Sequence, residues 1–319
     1  MCYTIFTRLD NLSQTKNFME VTIMRTATWS TIGTKVDTCA DIAQVLEKSG
    51  LNYKVSKSKI QLPNGIEIPD RMATVKEDGS YIGVVSNGYE ICQNEDAFDF
   101  ANNIEGIEFE KAGETGTGMV YIIGKLPDVT VLGDTFTPHL ILQNSHNGRY
   151  TLKATICPLR FVCQNQFSIS FRNMKNSVTI RHSRQLASKI AQAKQLLNQT
   201  ASYMSEFKGT AEDLARIKVS DTNLYHIVDK FFDMANEEMT ERQRREVEER
   251  RSAFFKCYNA DDNQNFLGTG WGIANAMSDY VTHRNRKQTA GVNDTRFLDV
   301  TFDNMIMPKL IQAVKEVAR

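Results

Sequence analysis

Apolar and polar positions along this chain follow first a period of two and then a period near 3.6. Before the strand-like region, Ile42, Val45 and Leu46 recur at helical spacing within Thr38–Gly50, with Thr38 placed to cap the segment and Gly50 to end it. From Tyr53 onward the period shortens. Asn64-Gly65 separates Ile60–Leu62 from Ile66–Ile68, and Asp78-Gly79 separates Met72–Val75 from Tyr81–Val85. Both dipeptides tolerate the positive φ that a two-residue hairpin turn requires. A short helix is predicted over Glu95–Asn103 with Ala97, Phe98 and Ala101 inward. Strands are predicted near Ile107–Glu110 and Met119–Ile123, around the glycine-rich turn Gly113–Gly118. A third hairpin joins His139–Asn144 to Tyr150–Ile156 through Asn147-Gly148. Repeated turns of one type between β-branched and aromatic runs predict an antiparallel sheet.

The texture changes after Ser183. Leu186, Ile190, Ala193, Leu197, Met204 and Phe207 keep helical spacing, as do Leu224, Ile227, Val228, Phe231, Phe232 and Ala235. Glu237–Tyr258 reads as a charged helix with Met239, Val247, Phe254 and Phe255 on its thin apolar side. A last helix is expected over Pro308–Val317, with Pro308 as its first residue. The expected fold class is therefore α+β: an antiparallel sheet built from hairpins with flanking helices, followed by a mostly helical C-terminal part. The expected division is an extension over 1–33, a sheet domain over 34–182 and a helical region over 183–319, with Met24 a plausible alternative start.

Composition narrows the class. Apolar residues are 41% and charged residues 24% of 319, which argues against wholesale disorder. Cys2, Cys39, Cys92, Cys157, Cys163 and Cys257 lack regular spacing, so a disulfide scaffold is not expected and a reducing, cytoplasmic setting is. No apolar run reaches the ~18 residues of a membrane span, and no membrane partner is expected.

The 38 basic and 38 acidic residues cancel, yet they are unevenly placed. Thr135–Ser205, 71 residues, contains no aspartate or glutamate but holds Arg149, Lys153, Arg160, Arg172, Lys175, Arg181, Arg184, Lys189 and Lys194, with His139, His146 and His182. Glu77–Glu114 holds ten acids and one base, Lys111. A stretch without carboxylates repels no phosphate, and each cation in it can release a condensed counterion. It could equally meet the acidic stretch, within a subunit or between copies in a homo-oligomer. Tyr150, Phe161, Phe167 and Phe171 interleave with the cations, as single-stranded nucleic acid requires, although strand aromatics are more often core.

Within the acid-free stretch, Arg160 through Asn165 offers a guanidinium and two amides to a phosphate or base, or else a buried Val162-Cys163 pair with Asn165 as a cap. Arg181-His182-Ser183-Arg184 stands at a predicted helix N-terminus, where unpaired N–H groups favour an anion. Gly268-Thr269-Gly270-Trp271-Gly272 lacks the lysine of a P-loop and reads as a tight turn with Trp271 packed against it. Arg284, Arg286 and Lys287 form a small basic cluster. Catalytic signals are thin. Cys157, Cys163 and His182 match no standard zinc spacing, and Glu95, Asp96 and Asp99 suit a helix first turn as well as a nuclease metal.

Three stretches together carry a resemblance. Arg160-Phe161-Val162-Cys163-Gln164-Asn165 with Arg181-His182 and a following long helix is one. Gly268–Gly272 continuing through Asn275, Ala276, Tyr280 and His283 is another, and Tyr81–Phe98 with its Ser86-Asn87-Gly88 turn is the third. Together they resemble the phage/plasmid-like protein family, a domain of unknown function, over most of residues 30–285. The resemblance implies a phage- or plasmid-borne intracellular protein and no established activity. The residues themselves point to a non-enzymatic, cofactor-free protein preferring single-stranded DNA, in recombination or annealing. Its expected contacts are Arg149, Lys153, Arg160, Arg172, Lys175, Arg181, His182 and Arg184. The alternative is a protein–protein module, a homo-oligomer or a factor binding a host protein, whose charge polarity drives assembly.

Overall fold

Two antiparallel sheets and a set of helices make up the computed structural model, which describes residues 32–160, 165–166, 177–183, 200–232, 238–283 and 306–317. In chain order these are β1 (Thr34–Lys35), α1 (Ile42–Ser49), β2 (Val55–Gln61), β3 (Glu67–Lys76), β4 (Tyr81–Ser86), α2 (Asn94–Phe98) with a 3₁₀ turn over Asp99–Asn103, β5 (Glu108–Glu114) and β6 (Met119–Lys125). Then come β7 (Val129–Val131), β8 (Asp134–Ser145), β9 (Leu152–Arg160), β10 (Asn165–Gln166), β11 (Ser177–Ile180), α3 (Thr200–Arg216), α4 (Asp221–Phe231) and α5 (Glu241–Tyr258). A second 3₁₀ turn over Asp261–Phe266, then α6 (Gly270–His283) and α7 (Ile306–Val317), complete the described elements.

The larger sheet has the order β1-β5-β6-β8-β9-β10, with β7 also on β8 and β11 also on β9; β2-β3-β4 form the smaller one. All three sequence-predicted hairpins are present, with Gly65, Gly79 and Gly148 at φ of 83°, 83° and 73°. The strands are longer than their apolar alternation implied: Ile68 and Met72–Val75 belong to one strand, β3.

Alternation along the larger sheet sends Ala112, Val120, Ile122, Leu140, Leu142, Ala154 and Ile156 into the main core. Met119, Tyr121, Ile123, Ile141 and Cys157 enter a second cluster with Ile32. On the main side the sheet meets the C-terminal helices. Phe136 lies edge-on to Phe207 at 5.2 Å between ring centroids, and Trp271 sits 6.2 Å from Phe136 and 6.0 Å from Phe207. Residues of α1, the sheet and α3 to α7 thus share one buried cluster.

Helix ends depart from expectation in instructive ways. α1 is capped by Asp41, whose carboxylate accepts from Gln44 N, while Thr38 Oγ1 instead accepts from Lys48 Nζ at 2.9 Å. Gly50 ends the helix at φ 70°, as the sequence implied. The predicted Glu95–Asn103 helix splits into α2 and the 3₁₀ turn. α5 starts at a capping box between Thr240 and Gln243. Pro308 is the third residue of α7, still within the first turn, whose N–H groups need no intrahelical acceptor. The predicted helical stretch 184–199 and Ala235 lie outside the described residues.

The glycine-rich turn before α6 explains itself sterically. Thr269 Oγ1 donates to Phe266 O at 2.6 Å and accepts from Gly272 N at 3.1 Å, capping α6. A Cβ on Gly270 would meet Val314 Cγ1 at 2.6 Å and Leu214 O at 3.0 Å, and one on Gly272 would collide with the Phe266 carbonyl. The stretch is a packing device, and Trp271 is its buried anchor, 1% exposed.

Gly272→Ala should lower the free energy of unfolding by about 3 kcal/mol, through forced displacement of the turn. Gly209→Ala, on α3 where an added methyl meets nothing within 4 Å, should raise it by about 0.5–1 kcal/mol. Urea unfolding of the two variants checks both signs.

Candidate functional site

The end of the larger sheet that carries the Asn147-Gly148 turn gathers residues from four separate stretches. β9 and β11 are paired antiparallel, with Leu152 opposite Ile180 and Lys153 opposite Thr179. Arg181 leaves β11 at the same end where Arg149 enters β9. Both arginines are exposed, and neither has an ion-pair partner among the described residues.

The other expected contacts fare differently. Lys153 is half-buried and lines a tight apolar crevice with Phe100, Leu152 and Val178, and burial pulls its ammonium below the usual lysine range. It is not the freely hydrated cation that the sequence reading assumed. Arg160 closes β9, opposite Asn165 on one side and Phe136 on the other. Arg172, Lys175 and Arg184 lie outside the described residues, as do Phe161, Phe167, Phe171, Cys163 and the Arg284–Lys287 cluster. Tyr150 is half-buried on the second cluster, and its hydroxyl donates to Thr117 Oγ1 at 2.9 Å.

His182 is structural at one nitrogen. Its ring stacks on Tyr89 at 4.7 Å and 19° between planes, and its Nδ1–H donates to Glu90 O at 3.1 Å. Tyr89 donates in turn to Ser145 O at 2.7 Å, and Lys57 Nζ holds the loop through Asn87 O and Tyr89 O at 3.1 and 2.9 Å. The Ser86-Asn87-Gly88 turn is thereby fastened beside the Asn147 turn, where Asn147 Oδ1 accepts from Arg149 N at 3.0 Å.

Beneath this corner lies a buried network that sequence reasoning missed. Asn94 Nδ2 donates to Leu51 O at 2.9 Å, which turns its Oδ1 toward Asn144 Nδ2 and His146 Nε2, each at 3.0 Å. Asn144 Nδ2 also donates to Cys92 O at 2.9 Å. The ring of His146 lies edge-on to Tyr53, whose hydroxyl donates to Glu114 at 3.2 Å and whose face carries Lys76 Nζ at 3.8 Å. Burial, then the field of His182 and that of Lys76, depress the His146 imidazole to about 4. Burial also lowers His182 and raises the Cys92 thiol to about 12. A sequence signal existed: Gln143, Asn144 and Ser145 at the end of β8 and His146 just beyond it are consecutive polar residues, each buried, where polar side chains need dedicated partners.

Three of the ten acids in the acidic stretch pair with lysines outside the acid-free one. Glu95 pairs with Lys54 at 2.7 Å, Glu114 with Lys76 at 3.4 Å and Glu108 with Lys125 at 2.8 Å. His139 Nε2, in the acid-free stretch, lies 3.3 Å from Glu110. Glu95, Asp96 and Asp99 do not converge on a metal: Asp99 accepts from Asn102 Nδ2, and among the described residues no group of three or more His, Cys, Asp or Glu side chains is placed to hold one.

The fastened 86–90 turn, the corner around Arg181 and α6 with its Thr269 cap are the same stretches that carried the family resemblance. A family model described as "Domain of unknown function (DUF932)" matches residues 81–301. The chain belongs to the DUF932 family. No curated protein and no solved structure matches it. The DUF932 match begins at Tyr81, the first residue of β4, and takes in the His146–Asn144–Asn94 network as well as α6. Among the described residues of this DUF932 chain, no helix is long and apolar enough to cross a membrane.

His146 is neutral when folded, whereas in the unfolded chain it titrates near its ordinary value. Stability is therefore complete above about pH 6.5 and falls as the pH drops toward 4, by roughly 3 kcal/mol once both values are passed. Urea midpoints taken between pH 7 and 4 in metal-free buffer should show this decline, and His146→Gln should flatten it.

Proposed function

We propose that this DUF932 protein is a non-enzymatic binder of single-stranded nucleic acid, with phosphates tracking over Arg149 and Arg181. The observation that carries the reading is the pairing pattern. The two exposed arginines share one end of the sheet without acidic partners among the described residues, whereas Glu95, Glu108 and Glu114 are each matched to a lysine. Cations left unmatched at a rim of backbone turns suit phosphate, which gains from each released counterion. Within this reading the strand preference is for single-stranded DNA and the setting is a host cytoplasm. The protein would be phage- or plasmid-encoded and would act in annealing or recombination.

A second reading, a homo-oligomer or a factor docking a host protein, draws on the smaller sheet. Tyr81 and Val84 are 67% and 47% exposed, opposite Val75 and Ala73 of β3, and Leu62 and Ile66 at the hairpin end are 45% and 59% exposed. Mass measurement with and without an oligonucleotide separates the two readings: an assembly that forms while no oligonucleotide ever binds favours the second.

Anisotropy of a labelled mixed-sequence oligonucleotide, titrated from low to moderate salt, tests the first. Affinity should fall steeply with salt. Arg149→Ala and Arg181→Ala should each reduce the slope of log K against log salt by about 0.7, one phosphate's share on a single strand. A salt-insensitive titration, no binding, or slopes unchanged in both variants would reject the reading.

A further inference from the structure

Three buried acceptor atoms beneath the Arg149–Arg181 corner have no hydrogen-bond partner: His146 Nδ1, His182 Nε2 and Asn144 Oδ1. Their identity as acceptors follows from backbone carbonyls, which can only accept. Leu51 O fixes the Asn94 amide, so Asn94 Oδ1 is an acceptor and His146 must carry its proton on Nε2. Cys92 O fixes the Asn144 amide, leaving Oδ1 bare. Glu90 O draws the His182 proton to Nδ1, leaving Nε2 bare. Each group is thus oriented by a bond made at its other end, and each leaves a buried lone pair without a protein partner. Asn144 is 0% and His146 2% exposed. The residues adjoin. Asn144 and His146 share the Asn94 oxygen, and the Tyr89 that stacks on His182 bonds Ser145, between those two.

A cluster of acceptors with no donor is costly unless something electron-poor fills it. Imidazoles that donate their second N–H to a carbonyl, and present the other nitrogen bare, have the arrangement of metal-bound histidines. We propose that His146 Nδ1 and His182 Nε2, with Asn144 Oδ1 as a neutral oxygen ligand, form a binding site for a borderline divalent transition ion of the zinc, nickel or cobalt class. The donor set is two imidazoles and an amide, so water completes the coordination. Lys76, whose charge acts on His146, is paired with Glu114. A bound ion would tie the segment leaving β11 to the end of β8 and so fix Arg181 in place. The inference does not rest on nucleic-acid binding.

The test uses full-length protein stripped with chelator, exchanged into chelator-free buffer and titrated with Zn²⁺ by calorimetry and with Co²⁺ by absorption. One equivalent should bind, with a cobalt spectrum free of thiolate charge-transfer bands and a raised melting temperature. His182→Gln and His146→Gln should each weaken binding at least tenfold. Should His146→Gln fail to fold, His182→Gln, at the margin of the network, decides the matter alone. Absence of binding, affinity unchanged in His182→Gln, or thiolate bands reporting a cysteine site would each overturn the proposal. None of these outcomes bears on the oligonucleotide titration, whose failure would leave this one standing.

Discussion

Strand β8 has neighbours on both edges, β6 and β7 on one and β9 on the other, and every residue from Pro138 to His146 is buried. A strand so enclosed gives its polar side chains no recourse to water, and each must be met by a fixed partner or bear a penalty of about 1–3 kcal/mol. That constraint sets the position of α2, because Asn94 must stand where Asn144 and His146 can reach its oxygen. Gln93 beside it clamps β2 by bonding both the N–H and the carbonyl of Val55, at 3.0 and 2.9 Å. The smaller sheet is thereby hung from the larger one through two consecutive amide side chains. The corner that presents Arg149 and Arg181 is an outer consequence of the same enclosure.

What could be read from the sequence was what is decided locally. Asn64-Gly65, Asp78-Gly79 and Asn147-Gly148 mark their turns because backbone sterics within two residues determine them, and the Ile42, Val45, Leu46 stripe marks α1 for the same reason. Errors arose where two local solutions compete. Thr38 and Asp41 are both competent caps, and only the position of the helix axis selects Asp41. Lys153 counted as a phosphate contact from its type, whereas its neighbours across the sheet place it against apolar walls. The Asn94 network was invisible because its members are separated by 43 to 52 residues and only the sheet register unites them.

The charge asymmetry left two outcomes open, pairing of the acid-free stretch with the acidic one or exposure of its cations. Among the described residues three of the ten acids are paired with lysines of their own surroundings, Lys54, Lys76 and Lys125, and these pairs are solvated enough to contribute little to stability. Their effect is on placement of charge: they offset three carboxylates of the acidic stretch, whereas Arg149 and Arg181 at the β9–β11 corner face no acidic partner among the described residues.

The meeting of Phe136 with Phe207 and Trp271 ties a strand of the first half to helices more than 70 and 130 residues further on. On a ribosome the sheet is synthesised first, yet its helix-facing side around Phe136 stays incompletely covered until Phe207 and then Trp271 have emerged. Contacts this distant in sequence are slow to close. The nascent sheet must therefore wait with an oily flank uncovered, and chaperone demand during translation should be set by how quickly α6 arrives.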